Sequence, residues 1–325
     1  ATTTLFNPDS ITYFRDAIRI AENLQYEKTF RGPGFPMLGA VVYELTDATS
    51  IGNLLLPRLG YALGIIFFFY LSRELYGSWP ALLGAIYIAV SPMFFIVGST
   101  YQIDVFVTAW SLLALWLNYM AYHRMSVILG LCSGACLGFA YLNKEVAMLL
   151  LPAMLLGWVS FGHIIWKRVF VSGYTLFGFI GFLLPWIMYV AFKSSPADVI
   201  GKNVNTSGKF SGFFYQITST PIEFVMNIPR YIVDFFQMYI YGLSAYSGEK
   251  QIFFMHDFGL IAGLCAVVIV FLAVYTRKSQ YIYTVLVICG FIPFAVYLAN
   301  YESQRRQAAI IFVALALSLP AVVAA

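Results

Sequence analysis

Eight ionisable residues stand out in a chain that has few of them: Asp9, Asp16, Arg58, Asp104, Lys144, Glu145, Arg305 and Arg306. A carboxylate can act as general base toward an acceptor hydroxyl or amine. A lysine can hold a phosphate as a point charge, and an arginine can hold it as a bidentate fork. Carboxylates and cations gathered at one place would suit group transfer from a phosphate leaving group embedded in a bilayer. Each residue also has a plainer reading. Asp9 follows Asn7-Pro8 and can cap a helix start. Asp104 opens an apolar run, where a helix dipole favours a carboxylate. Lys144 can snorkel to an interface, and Lys144 and Glu145 can neutralise each other. Arg305 and Arg306 can flank a span and meet lipid headgroups. Whether these residues meet depends on the elements that carry them.

Those elements belong to a membrane. The 325 residues are 61% hydrophobic and 10% charged, with mean hydropathy +0.79. A soluble domain carries about 25% charged residues. The net charge of +4 gives no case for nucleic-acid binding. Cys132, Cys136, Cys265 and Cys289 lie in apolar runs without a histidine or carboxylate beside them, so they read as packing residues. Uncharged windows predict helices near 54–72, 79–97, 105–121, 127–143, 146–162, 169–191, 258–274, 281–299 and 308–325. Nothing alternates in the short segments of a β-barrel. The fold class is therefore all-α: one polytopic transmembrane helical bundle over 1–325, with spans about 54–191 and 258–325.

Charge in the short loops sets the orientation. Arg73, Arg124, Lys167, Arg168, Arg277 and Lys278 share one set of connections, with Glu74 as the only acid there. That side reads as cytoplasmic. The outer side then holds segments 1–53, 98–104, 192–257 and 300–307, with the bend at Asn143-Lys144-Glu145. The expected location is the cell (plasma or inner) membrane, with the active side extracytoplasmic. Segment 7–25 reads as an amphipathic surface helix: Ile11, Phe14, Ile18 and Ala21 recur at helical spacing while Arg15, Asp16, Arg19 and Glu22 fall largely elsewhere. A second surface helix is expected after Arg31-Gly32-Pro33-Gly34-Phe35-Pro36, toward Tyr43. Residues 201–212 are expected to be mobile, and 222–247 to be interfacial or re-entrant. The start at Ala1 in a polar segment leads to the expectation of a first helix upstream, and the end in an apolar run to that of more chain downstream.

Several chemistries lack their residues. There is no G-x-x-x-x-G-K-[ST], no G-x-G-x-x-G, no H-E-x-x-H and no D-x-D. A transporter would place ions at mid-membrane, whereas these fall at helix ends. An 18% aromatic content leaves open a non-catalytic membrane subunit packed against complex partners.

The order of motifs resembles the GT-C glycosyltransferases, in the branch with protein O-mannosyltransferases, aminoarabinose transferases and RgtA/B-type bacterial enzymes. Asp9-Ser10-Ile11-Thr12-Tyr13 with Ala17, then Arg31 to Pro36, resembles that branch's first outer loop. Arg58 followed by Tyr70 to Gly77 resembles its next helix and cytoplasmic turn. Ala89-Val90-Ser91-Pro92 and Tyr101-Gln102-Ile103-Asp104 resemble its second acidic motif. Gly134 to Glu145 resembles its glycine-containing helix with a terminal lysine, and Ser303-Gln304-Arg305-Arg306 its late arginine motif. The resemblance implies a polyprenyl-phosphate sugar donor, a glycan, lipid or protein acceptor on the extracytoplasmic side, and inversion at the anomeric carbon. It makes Asp9 the base and Asp104 a residue that positions acceptor or metal. Lys144 and one of Arg305 or Arg306 would hold the donor phosphate, with Arg58 a further candidate; Tyr13, Arg31 and Glu145 are candidate substrate contacts. Some members use a divalent cation (Mg or Mn) and others do not; here Asp9 and Asp104 would be its ligands. The chain departs from many members in having Ser10 where a second acid adjoins the first.

Overall fold

The computed structural model describes residues 8–23, 26, 32–46, 54–99, 103–161, 166–193, 226, 254–299 and 316–325. Helices α1 (Pro8–Asn23) and α2 (Gly34–Leu45) precede the bundle. The bundle contains α3 (Leu55–Tyr76), α4 (Ser78–Val90), α5 (Pro92–Ser99), α6 (Asp104–Arg124), α7 (Val127–Asn143), α8 (Leu150–Leu155), α9 (Trp166–Lys193), α10 (Phe254–Thr276), α11 (Ser279–Ala299) and α12 (Ser318–Val323). Short 3-10 turns at Glu145–Leu149 and Gly157–Phe161 flank α8. No strand occurs among the described residues. Three of their helices are long and apolar enough to cross a membrane: Leu55–Tyr76, Asp104–Arg124 and Trp166–Phe192.

Two expected spans are broken. The run 79–97 divides at Ser91, which is extended, because Pro92 cannot supply the N–H that would continue the ladder. Tyr61 on α3 donates its hydroxyl to the Ala89 carbonyl at 2.5 Å, satisfying a carbonyl in the last turn of α4. The run 146–162 divides into the two 3-10 turns and α8. The surface helix follows its expected range closely, but it begins at Pro8. Proline suits the first helical position, so Asp9 lies inside the first turn and is not the N-cap. Asp16 departs from its expected solvent-facing place: it is buried beside Ala17, while Arg15, Arg19 and Glu22 are exposed. The expectations for 201–212 and nearly all of 222–247 lie outside the described residues.

Helix α6 is the axis. Most of its length is buried, whereas α9 leaves most of its surface free for lipid. The α6–α7 turn is tight: Met125 takes the left-handed conformation at φ 52°, and the Ser126 side chain accepts from the Leu129 N–H. Packing of α7 on α9 depends on small residues. Gly130, Gly134 and Gly138 recur every fourth residue and face Val171, Thr175 and Phe179. A Cβ at Gly134 would run into the Thr175 carbonyl and sit 2.7 Å from the Phe179 nitrogen. In lipid, where apolar burial between helices gives little, such backbone contact is what holds a pair together.

Buried hydroxyls and amides lock one half of the bundle. Tyr283 on α11 donates to the Leu115 carbonyl at 3.0 Å and to Asn118 Oδ1 at 3.1 Å. Asn118 Nδ2 reaches Thr175 Oγ1 at 3.5 Å, and Tyr122 donates to the Met154 carbonyl at 2.7 Å. Tyr76, closing α3, pairs with Thr284 and donates to the Gln280 carbonyl at 3.2 Å. The Arg168 guanidinium stacks 4.6 Å from the centre of the Phe161 ring, and Phe161 lies beside Tyr119 and Tyr122. These contacts bring Arg73, Arg124, Arg168, Arg277 and Lys278 to one end of the bundle. The carboxylate and lysine of interest are at the other.

Substituting Gly134→Ala should lower thermal stability in detergent by about 1–3 kcal/mol, because the methyl meets backbone that cannot rotate away. An unchanged melting temperature would show that α7 and α9 separate without cost.

Candidate functional site

Antiparallel α6 and α7 put the N-terminus of one beside the C-terminus of the other. Asp104 stands in the first turn of α6, and Lys144 is the C-cap of α7. The Lys144 ammonium donates to Asp104 Oδ1 at 2.5 Å. Each charge also sits at the helix end whose dipole favours it. Asp104 is 5% exposed and Lys144 16%. Lysine therefore finds its partner forty residues upstream. Glu145 begins the following 3-10 turn.

The geometry at Lys144 begins with the backbone. Helix α7 stops at Asn143, and Lys144 turns extended at φ −155°, ψ 128°. Asn143 is buried and donates Nδ2 to the Phe139 carbonyl at 2.6 Å. Its Oδ1 is buried with no hydrogen-bond partner.

The Gly32–Pro36 turn covers this corner. A Cβ at Gly32 would collide with the Leu142 carbonyl, and one at Gly34 would lie 2.9–3.0 Å from the amide atoms of Asn143. Both glycines are thus required by close approach to the end of α7. Phe35 is wholly buried and packs edge-on to Tyr13 of α1 at 5.8 Å and Phe106 of α6 at 5.9 Å. Phe106 follows Asp104 by two residues. Gly60 of α3 backs it closely: a Cβ there would lie 2.8 Å from the Phe106 Cα. On the far side, Tyr26 donates to the Gly32 carbonyl at 3.4 Å, and its own carbonyl accepts from Tyr189 of α9 at 2.8 Å. Trp186 stacks on Tyr189 at 5.4 Å and lies 5.9 Å from Tyr26. The first segment is thereby fastened to α6, α7 and α9 around the ion pair.

The nine candidates are therefore placed unequally. Asp104 and Lys144 are in contact. Tyr13 reaches their neighbourhood through Phe35. Arg58 is exposed at the start of α3. Asp9 lies in the first turn of α1 and Glu145 in the turn after Lys144, with neither side chain among those described. Arg31, Arg305 and Arg306 lie outside the described residues. Sequence reasoning passes over Asn143, Gly32, Gly34 and Phe35 as site residues. The signal was available in two glycines bracketing a proline and in an asparagine at a helix end. As to a divalent cation, no three ligating side chains converge among the described residues, and Asp104 is already engaged by an ammonium.

A buried carboxylate neutralised by lysine stands at the bundle end opposite the basic loops, beside a turn pressed on the end of α7, and the helical architecture is that of the GT-C fold. Within it, residues 31–189 match the family model described as dolichyl-phosphate-mannose-protein mannosyltransferase. The architecture is similar to ArnT from Cupriavidus metallidurans bound to undecaprenyl phosphate, at TM-score 0.68 and 15% identity, over 98% of this chain and 56% of that one. It is similar to the Archaeoglobus fulgidus oligosaccharyltransferase solved with zinc and sulfate, at TM-score 0.66 and 15% identity, over 99% and 46%. It is also similar to the Archaeoglobus fulgidus oligosaccharyltransferase AglB in complex with an inhibitory peptide and a dolichol-phosphate, at 0.59 and 13%, over 98% and 46%. The chain thus spans about half the length of these structures. No curated protein sequence gives a significant match.

Removing one partner of a buried ion pair strands the other, at about 3–5 kcal/mol. Asp104→Asn and Lys144→Met should each destabilise the protein by that order, and the double variant by less than the sum. Additive losses in thermal unfolding would mean that the two charges do not support each other.

Proposed function

We propose that the chain is a glycosyltransferase that moves a sugar from a polyprenyl-phosphate donor to an acceptor on the extracytoplasmic face, with inversion. The observation that carries this reading is the Asp104–Lys144 pair: a scarce lysine held at a helix end, next to the Asn143 against which the Gly32–Pro36 turn is pressed. The family model over 31–189 and the GT-C architecture support it. So does the undecaprenyl phosphate bound to one structural neighbour and the dolichol-phosphate bound to another.

In this reading, Asp9 takes the proton from the acceptor hydroxyl or amine. The freed electron pair attacks the anomeric carbon from the face opposite the phosphate. The bond from that carbon to the phosphate oxygen breaks, and its electrons leave with polyprenyl phosphate. Lysine carries three donors, and Asp104 uses one, so two N–H bonds of Lys144 remain for phosphate oxygens. Arg305 or Arg306 and Arg58 supply further positive charge, and Asp104 holds the ammonium in place and orients the acceptor. Tyr13, Arg31 and Glu145 line the substrate. The membrane is the cell membrane, with the basic end of the bundle in the cytoplasm.

Asp9→Asn should abolish transfer from a polyprenyl-phosphate sugar while leaving the melting temperature within a few degrees, since only a helix-end interaction of about 0.3–1 kcal/mol is lost. Full activity in that variant removes Asp9 as the base. Binding of undecaprenyl phosphate separates the charges: Lys144→Ala should weaken it about tenfold or more, and Asp104→Asn, which keeps the ammonium but loses its anchor, should weaken it less. Equal affinities for wild type and Lys144→Ala would take the phosphate away from Lys144.

A further inference from the structure

We propose that Asn143 is a positioning residue for Lys144, an assignment that rests on the transfer reading above. Three observations converge on its amide. The side chain is 4% exposed, and its Nδ2 donates to the Phe139 carbonyl one helical turn back, at 2.6 Å. Its Oδ1 is buried and unpartnered. From the position of a Cβ on Gly34, the Asn143 Nδ2 lies at 2.9 Å and both Cγ and Oδ1 at 3.0 Å. These nearly equal distances mean that the amide lies face-on against the glycine.

An apolar side chain of the same volume would serve stability at least as well. A buried amide oxygen without a donor costs about 1–3 kcal/mol, and native structures keep few such atoms. Polar side chains buried in a membrane protein are functional candidates for that reason. What the amide does is geometric. Its bond to Phe139 fixes the last turn of α7, so that the next residue leaves extended and its ammonium reaches Asp104. Its flat face seats the Gly32–Pro36 turn, and Phe35 of that turn packs on Phe106, two residues from Asp104. Asn143 therefore joins the cover to the pair: a shift of the turn moves the amide, and a shift of the amide moves the ammonium.

The test uses the full chain in detergent. In an Asn143→Leu background, the stability coupling between Asp104→Asn and Lys144→Met is measured by a double-mutant cycle. The coupling should fall to less than half its wild-type value while the melting temperature of Asn143→Leu itself moves little. Kinetically, the KM for the polyprenyl-phosphate sugar should rise about fivefold or more with the acceptor KM unchanged, because only the donor side depends on Lys144. Should Asn143→Leu fail to fold, Gly34→Ala decides the matter, since its methyl displaces the amide from the opposite side; it should reduce the coupling in the same way. Undiminished coupling in the variant that folds overturns the proposal. Absence of any sugar transfer by the wild-type protein would sink the transferase reading instead, and the coupling measurement would still stand by itself.

Discussion

A carboxylate beneath a bilayer surface cannot remain charged and buried alone. Its desolvation costs several kcal/mol even after relaxation, and only a close counter-charge offsets that cost. Asp104 is almost wholly enclosed, so the position of Lys144 decides whether α6 can begin where it does. Antiparallel pairing of α6 and α7 brings the two side chains to the same level, and each helix dipole favours the charge at its end. Everything that fixes the relative height of those helices bears on the pair. Ser133 of α7 does so directly, donating to the Ala114 carbonyl of α6 at 3.0 Å, and both helices are tied to α9, by the glycine row of α7 and by Asn118 of α6.

The two ends of the bundle are secured by different means. At the basic end, tyrosine, threonine and asparagine side chains bond directly between spans, and the turns are short. At the end that holds the ion pair, the fastening comes from chain outside the spans. Phe35, Tyr26 and the two glycines press a loop onto α6, α7 and α9. Interhelical hydrogen bonds within a membrane contribute only modestly apiece, so the first end is stiff through number. The second end relies on a few close contacts with one turn.

Much of this was legible in the sequence, for identifiable reasons. Hydropathy marks a helix wherever twenty apolar residues run together, and α3, α6 and α9 follow. The amphipathic period of 7–25 gives α1, and short-loop arginines and lysines gather at one end as their pattern implies. Breaks at Ser91 and around α8 were missed because a window average does not register a single proline or a local tightening to 3-10 geometry. Asp16 was misplaced because helical spacing reports one face of an isolated helix, whereas its burial arises from a second packing surface. Short-loop charge places Asp104 and Lys144 on one side of the bundle but does not pair them: Glu145 is the nearer partner along the chain, and only the fold brings Asp104 within reach of Lys144. The glycines at 32 and 34 were visible as a turn, but what they approach was not.

The choice of glycine for the cover has a chemical consequence. A turn of bulky side chains over the pair would seal both charges equally. Backbone pressed against Leu142 and Asn143 instead closes over the α7 end. The result is unequal enclosure: the lysine is about three times as exposed as the carboxylate, at 16% against 5%. More of the lysine side chain than of the carboxylate is thus open to an approaching group. In the transfer proposed above, it is this less enclosed ammonium, rather than net charge, that would meet a phosphate.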